Sequence, residues 1–271
     1  MNDFSVLMSI YKNTKLSELR QCMESIFNQN AKSNDIVIVF DGPVAEDVDA
    51  YLTELAITHS ELNLVKCANN RGLGPALATG MEHCKNELVA RMDTDDICVD
   101  GRFKAQLEAY EDHPECSVIG GNMTEFIGSP DNIFDTRNVP ESHDEICEFM
   151  KKRCPFNHMT VMMKKTDVIN AGGYQDWYFN EDYFLWIRMY LCGCKFYNLQ
   201  QVLAFVRVDG AMQRRGGKKY YESERALFKF MLDNKVITKK EYRKAKRIRF
   251  IAYRLLPNRI RQWAYRKFAR Q

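Results

Sequence analysis

Ile36-Val37-Ile38-Val39-Phe40 is an unbroken apolar run, β-branched at all but its last position. A strand without polar alternation is covered on both faces, as the strands of parallel sheets flanked by helices are. It has company. Phe4-Ser5-Val6-Leu7-Met8-Ser9-Ile10 reads as an earlier buried strand, and Leu16, Leu19, Met23, Ile26 and Phe27 then recur at helical spacing. Val44, Val48, Tyr51, Leu52 and Leu55 mark a second helix. Leu62-Asn63-Leu64-Val65 is a third strand, 76–84 a short helix and Leu88-Val89-Ala90-Arg91-Met92 a fourth strand. The β-α-β-α-β-α-β order predicts an α/β fold with right-handed crossovers. Beyond Cys116 the pattern loosens. Strands are expected at 117–122, around 160–163 and at 202–208, with helices at 141–152 and 183–191.

The fourth strand runs into Asp93-Thr94-Asp95-Asp96. Ligands bind α/β sheets in the crevice outside the carboxyl ends of the strands, so these acids face a binding site. Like charges this close repel unless a positive group neutralises them. A hard divalent cation held by carboxylates and ligand phosphates does so. The alternative is a turn followed by a helix cap, which one Asp would satisfy.

Three more loops open on the same edge. The first carries Ser9, Tyr11 and Lys12, the second Asp41-Gly42, and the third Asn69-Asn70-Arg71-Gly72-Leu73-Gly74. An aromatic ring for a base, an Asp for a base or ribose edge, an Arg for phosphate and a metal site together describe a nucleotide-diphosphate pocket. Gly72-Leu73-Gly74 is not a dinucleotide fingerprint, because position 77 is Leu and the loop follows the third strand rather than the first. Asn180-Glu181-Asp182 opens the helix that contains Leu185 and Trp186. Acids there suit the helix dipole, and one could equally be a general base at the acceptor end of the crevice.

Taken in order, Ser9-Ile10-Tyr11-Lys12, Asp41-Gly42, Asn70-Arg71-Gly72-Leu73-Gly74, Asp93-Thr94-Asp95-Asp96 and Glu181-Asp182 resemble the inverting glycosyltransferases of family 2. The resemblance runs from Phe4 to about Arg215 and is nearest to bacterial enzymes of capsule, exopolysaccharide or lipopolysaccharide synthesis. It implies the GT-A nucleotide-diphospho-sugar transferase fold, with a mixed, mostly parallel sheet. It also implies a UDP-sugar donor, a lipid-linked or glycan acceptor, and Mg²⁺ or Mn²⁺. By the resemblance Asp41 and Asp93 hold the nucleoside, Asp95 or Asp96 the metal and diphosphate, and Asp182, beside Glu181, is the base. Ser9, Tyr11, Lys12, Asn70, Arg71, Gly74 and Thr94 complete the donor site. The processive synthases differ, having membrane spans and a Gln-x-x-Arg-Trp motif where this chain has Gln213-Arg214-Arg215-Gly216-Gly217. Two other functions are compatible with parts of this pattern. A sugar nucleotidyltransferase needs a Gly-rich phosphate loop after the first strand, and a non-catalytic sugar- or membrane-binding module is expected to lose one acidic motif.

Residues 1–215 are read as the catalytic domain, with 1–120 the nucleotide half and 121–215 the acceptor half. Residues 216–271 are read as a helical basic extension. His158, in Pro155-Phe156-Asn157-His158, is a candidate for the acceptor pocket, although a lone His is commonly structural. The basic Arg214-Arg215-Gly216-Gly217-Lys218-Lys219 loop is a candidate to close on the diphosphate, or is simply solvated. From Lys239 onward there are 13 Lys or Arg against one acid, a balance of +12, while the preceding 238 residues carry 26 basic and 35 acidic side chains, a balance of −9. With Leu256, Ile260, Trp263, Ala264 and Phe268 on one helical face, the tail suits an anionic membrane surface or packs on its own domain. Nucleic acid is not expected, given the acidic body. No apolar run is long enough for a membrane span, and nine cysteines without framework spacing read as mostly buried thiols, so the expected place is cytoplasmic, at the inner face of the cell membrane.

Overall fold

A computed structural model describes residues 3–208 and 217–255, with side chains to Arg254. Its first part follows the expected alternation: β1 (Phe4–Ile10), α1 (Leu16–Phe27), β2 (Asp35–Phe40), α2 (Glu46–Thr58), β3 (Leu62–Lys66), α3 (Leu73–His83) and β4 (Leu88–Arg91). β1 pairs in parallel with both β2 and β4, and β2 with β3. Two-residue periodicity sends alternate side chains to opposite faces. Val6, Met8, Ile36, Ile38 and Ala90 therefore pack with one helical layer, and Leu7, Val37, Val39 and Val89 with the other.

The remaining strands make the sheet mixed. They are β5 (Ile97–Cys98), β6 (Cys116–Ile127), β7 (Ser129–Arg137), β8 (Met162–Lys164) and β9 (Lys195–Arg207). The order is β3-β2-β1-β4-β8-β6-β9-β5, with β7 on β6. β8 runs antiparallel between β4 and β6, while β6 and β9 are parallel. The helices here are α4 (Arg102–Asp112), α5 (His143–Met150), α6 (Lys165–Asn170) and α7 (Glu181–Leu191). α8 (Gly217–Asp233) and α9 (Lys239–Phe250) follow. Leu227, Phe228 and Met231 of α8 and Ala245 of α9 join the core that also holds Trp186, so these helices extend the helical layer on that face of the sheet. A capping box between Thr238 and Glu241 starts α9, satisfying otherwise orphaned N–H groups. No described helix is long and apolar enough to cross a membrane.

Candidate active site

Main-chain bonds bring the strand exits to one edge. Asp41 N donates to Ile10 O at 2.8 Å, Cys67 N to Phe40 O at 3.0 Å and Met92 N to Leu7 O at 3.2 Å. Tyr11 is half-buried just beyond β1, its N–H donating to Thr14 Oγ1 at 3.0 Å, while Ser9 is half-buried and Lys12 exposed.

Asp41 is buried and fully engaged. Its carboxylate accepts from Asn70 Nδ2 at 2.8 Å, Arg71 N at 2.7 Å and Gly72 N at 2.9 Å. Asp41 therefore first of all shapes the β3–α3 loop, leaving the Asn70 and Arg71 residues exposed at the crevice. Gly42 permits the approach: it has φ +79°, and a Cβ there would stand 2.5 Å from Asn70 N. The same loop reaches the segment before α7. A Cβ on Gly74 would lie 2.4 Å from Gln175 O and 3.2 Å from Glu181 Cβ. Asn70, Arg71 and Gly74 thus span the crevice from the Asp41 latch to the start of α7.

The carboxylates of Asp93, Asp95 and Asp96 lie within 4.8 Å of one another. Asp96 is buried, Asp93 half-buried and Asp95 exposed at the rim, with Thr94 buried between them. Desolvation, then the Asp93 charge, pushes the Asp95 carboxyl up to about 6, even though the residue as a whole retains solvent contact. Burial, then the Asp95 and Asp93 charges, pushes Asp96 well above the usual carboxylate range. The protein supplies a partial counter-charge. Arg91, 1% exposed on β4, forms an ion pair with Asp93. Burial works against that guanidinium, but Asp93 outweighs it and raises its pKa. Its Nε and Nη1 have no hydrogen-bond partner. The Arg207 N–H donates to Asp96 Oδ1 at 2.9 Å, and its side chain reaches Asp95 O at 3.3 Å and Gln21 Oε1 at 2.8 Å. Beneath lies Arg102, donating to Arg91 O at 2.8 Å and to Gln106 Oε1 at 3.0 Å. An all-oxygen cluster with excess negative charge, held on a rigid frame, fits a hard divalent cation.

Asp182 lies in the first turn of α7 and is half-buried. Its Oδ1 accepts from Tyr183 N at 2.6 Å, and Cys154 Sγ donates to Oδ2 at 3.5 Å. Glu181 precedes it, also half-buried.

His158 is buried within the fold. It is 8% exposed, with Nε2 at 2.8 Å from Tyr174 Oη, and burial followed by the Arg91 charge holds it well below its ordinary pKa. A neutral imidazole fastened to Tyr174 belongs to the wall behind the site. Arg214 and Arg215 lie outside the described residues, as do Leu256, Ile260, Trp263 and Phe268.

Arg91, Arg102, Arg207 and Cys154 escaped the sequence reading. A lone charge inside the fourth strand was the available signal for Arg91, since burying a guanidinium demands a partner.

Residues 5–170 match the family model for glycosyl transferase family 2. A glycosyltransferase of Haemophilus influenzae, uncharacterized, is 47% identical over 83% of this chain and 84% of its own length. The amylovoran biosynthesis glycosyltransferase AmsE of Erwinia amylovora is 40% identical over 84% and 85%. The Escherichia coli UDP-Gal:alpha-D-GlcNAc-diphosphoundecaprenol beta-1,3-galactosyltransferase is 33% identical over 99% of this chain and 97% of its own length. In fold, the chain resembles S. aureus TarS 1-349 in complex with UDP-GlcNAc, with a TM-score of 0.66 at 15% identity over 96% of this chain and 78% of that one.

Proposed function

Because the chain belongs to glycosyltransferase family 2, with the GT-A fold, we propose that it moves a sugar with inversion from a UDP-sugar to a hydroxyl of a lipid-linked or glycan acceptor. The setting is assembly of a bacterial surface polysaccharide, as the names of the Erwinia and E. coli relatives suggest. The observation that carries the reading is the convergence of the Asp93, Asp95 and Asp96 carboxylates after β4, together with the Asp41-latched loop that reaches Gln175 and Glu181 beside Asp182.

In this reading Tyr11, Asp41 and Asp93 bound the nucleoside end, and Arg71 faces the diphosphate. Asp95 and Asp96 would hold Mg²⁺ or Mn²⁺, which when bound offsets the charge of the departing diphosphate. Asp182 takes the acceptor hydroxyl proton as that oxygen bonds to the anomeric carbon. The sugar–phosphate bond breaks on the opposite face, and its electron pair leaves with UDP. Tyr183 N–H and the Cys154 thiol hold the Asp182 carboxylate in one orientation, as a general base requires. Residues 1–120 then serve the donor and 121–215 the acceptor, while residues 216–271, which include α8 and α9, form the extension.

The extension also supports placement at the inner membrane face. α9 carries seven basic residues and one acid, and Ile248, Phe250 and Ile251 at its end are 53%, 43% and 40% exposed. Co-sedimentation with anionic but not neutral vesicles checks this, and equal binding to both would remove it.

The activity itself is tested by donor hydrolysis across a nucleotide-sugar panel, with the released sugar followed by NMR. An α-linked UDP-sugar should be consumed and give the β-anomer first. Turnover of none of the UDP-sugars, or first release of the α-anomer, would defeat the reading.

A further inference from the structure

Tyr178 and Phe179 stand immediately before Asn180-Glu181-Asp182 and are 37% and 39% exposed. Their rings meet edge to face at 4.7 Å. Two large apolar side chains side by side at the rim of a site cost free energy in water unless something covers them. Phe179 also has φ +58°, and the only other non-glycine residue with positive φ among those described is Lys235, past the end of α8. A bulky residue in that region carries strain that the surroundings must override.

Those surroundings are specific. Ser223 of α8 donates through Oγ to Tyr178 O at 2.7 Å and accepts from Asn180 Nδ2 at 3.3 Å. Trp177 Nε1 donates to Ser223 O at 3.4 Å, and its ring packs on Phe184 at 4.1 Å. Phe179 leans on Tyr220, ring centroids 6.1 Å apart. The segment is therefore hung from α8 and anchored on α7, with its two outer rings partly exposed. Positive charge lies alongside: Lys219 Nζ is 4.0 Å above the Tyr178 ring, and Lys218, exposed one residue earlier, pairs with Glu222 at 4.0 Å.

We infer that Tyr178 and Phe179, with Lys218 and Lys219, form the acceptor subsite, taking the pyranose ring and diphosphate of a lipid-diphosphate-linked sugar. The apolar C–H face of a pyranose covers the exposed rings, while the lysines meet the diphosphate. The chain order Tyr178-Phe179-Asn180-Glu181-Asp182 places the ring platform next to the carboxylate that would take the hydroxyl proton. This rests on the transferase reading above and narrows it to an acceptor with both an apolar sugar face and a phosphate.

The test uses the full-length protein, saturated with UDP and Mn²⁺. It titrates a panel of decyl-diphosphate hexosides and the matched decyl hexosides that lack the diphosphate. Tyr178→Ala and Phe179→Gly should each weaken the tightest diphosphate probe by about tenfold, ~1.4 kcal/mol, with UDP affinity and melting temperature unchanged. Phe179→Gly also removes the strained φ, so a loss of binding there is not a loss of fold. The double variant Lys218→Gln/Lys219→Gln should lose about tenfold for the diphosphate probe and nothing for the plain decyl hexoside. Unchanged affinity in both aromatic variants, an equal lysine effect on both probes, or a parent that binds UDP but no member of the panel would overturn the subsite. A parent that fails to bind UDP would instead defeat the transferase reading.

Discussion

Gly74→Ala sets two effects against each other. Gly74 is the second residue of α3, where Ala for Gly ordinarily adds up to ~1 kcal/mol of helix stability. The structure reverses the sign. A methyl there would stand 2.4 Å from the Gln175 carbonyl oxygen, 3.0 Å from its carbon and 3.2 Å from Glu181 Cβ. Backbone cannot swing aside as a side-chain tip can, so restoring ordinary contact near 3.4 Å moves the 175–181 segment by about 1 Å. Overpacking of this kind costs ~1–3 kcal/mol. Net of the propensity gain, a loss of ~1–2 kcal/mol lowers the melting temperature by roughly 2–8 °C for a chain of this size. Activity should suffer more than stability, because a misplacement of ~1 Å between reacting groups costs on the order of 10²-fold in rate. Gly72→Ala is the control. Its φ of +93° makes any side chain strained, yet no atom lies within 4 Å of the new Cβ, so it should destabilise without displacing α7. Transfer rates and thermal melts of both variants decide the matter. A melting temperature that rises in Gly74→Ala with transfer intact would refute the contact between the β3–α3 loop and the start of α7.

Asp182→Asn keeps the shape of the side chain and its bond from Tyr183 N, but cannot take a proton. Transfer should fall on the order of 10²-fold or more with UDP affinity retained, and residual transfer that tracks the folded fraction would make Asp182 a cap instead. The carboxylate cluster also predicts a pH dependence. Asp95 is raised to about 6 and Asp96 well above the usual carboxylate range, so each binds its proton more tightly folded than unfolded. Stability from this source is full below about pH 4, the ordinary Asp range, and is lost as pH rises through 6. Metal-free protein should therefore melt lower at pH 7.5 than at pH 5.5, and Mn²⁺ should raise the melt more at the higher pH. A pH-independent response to Mn²⁺ in thermal melts would contradict the mutual repulsion of these acids.

The parallel half of the sheet was legible because its strands are short and mainly apolar, β2 carrying an unbroken β-branched run, and because the candidate site residues sit directly at strand exits. Asp93, Asp95 and Asp96 converge as expected. The other half was less readable for physical reasons. α4 hides its inward face behind polar letters, since Arg102 and Gln106 are buried and bonded to backbone oxygens rather than solvated. β7 is an edge strand with mostly exposed residues, so no apolar run marks it. β9 begins at Lys195, seven residues before the expected 202, because its first half alternates buried and exposed positions. His158 illustrates the converse: the sequence shows an isolated imidazole, and only packing against Tyr174 assigns it to the wall. Asp41 is similar, as its bonds to the 70–72 backbone could not be foreseen from a lone acid after a strand.

The central claim is that Asp95 and Asp96 hold the donor diphosphate through a divalent cation, and calorimetric titration of UDP into the protein tests it most directly. With Mn²⁺ present UDP should bind the parent, while in EDTA, and in Asp96→Asn with Mn²⁺, binding should weaken by at least about tenfold, ~1.4 kcal/mol. Equal UDP affinity in Mn²⁺ and in EDTA would contradict the account.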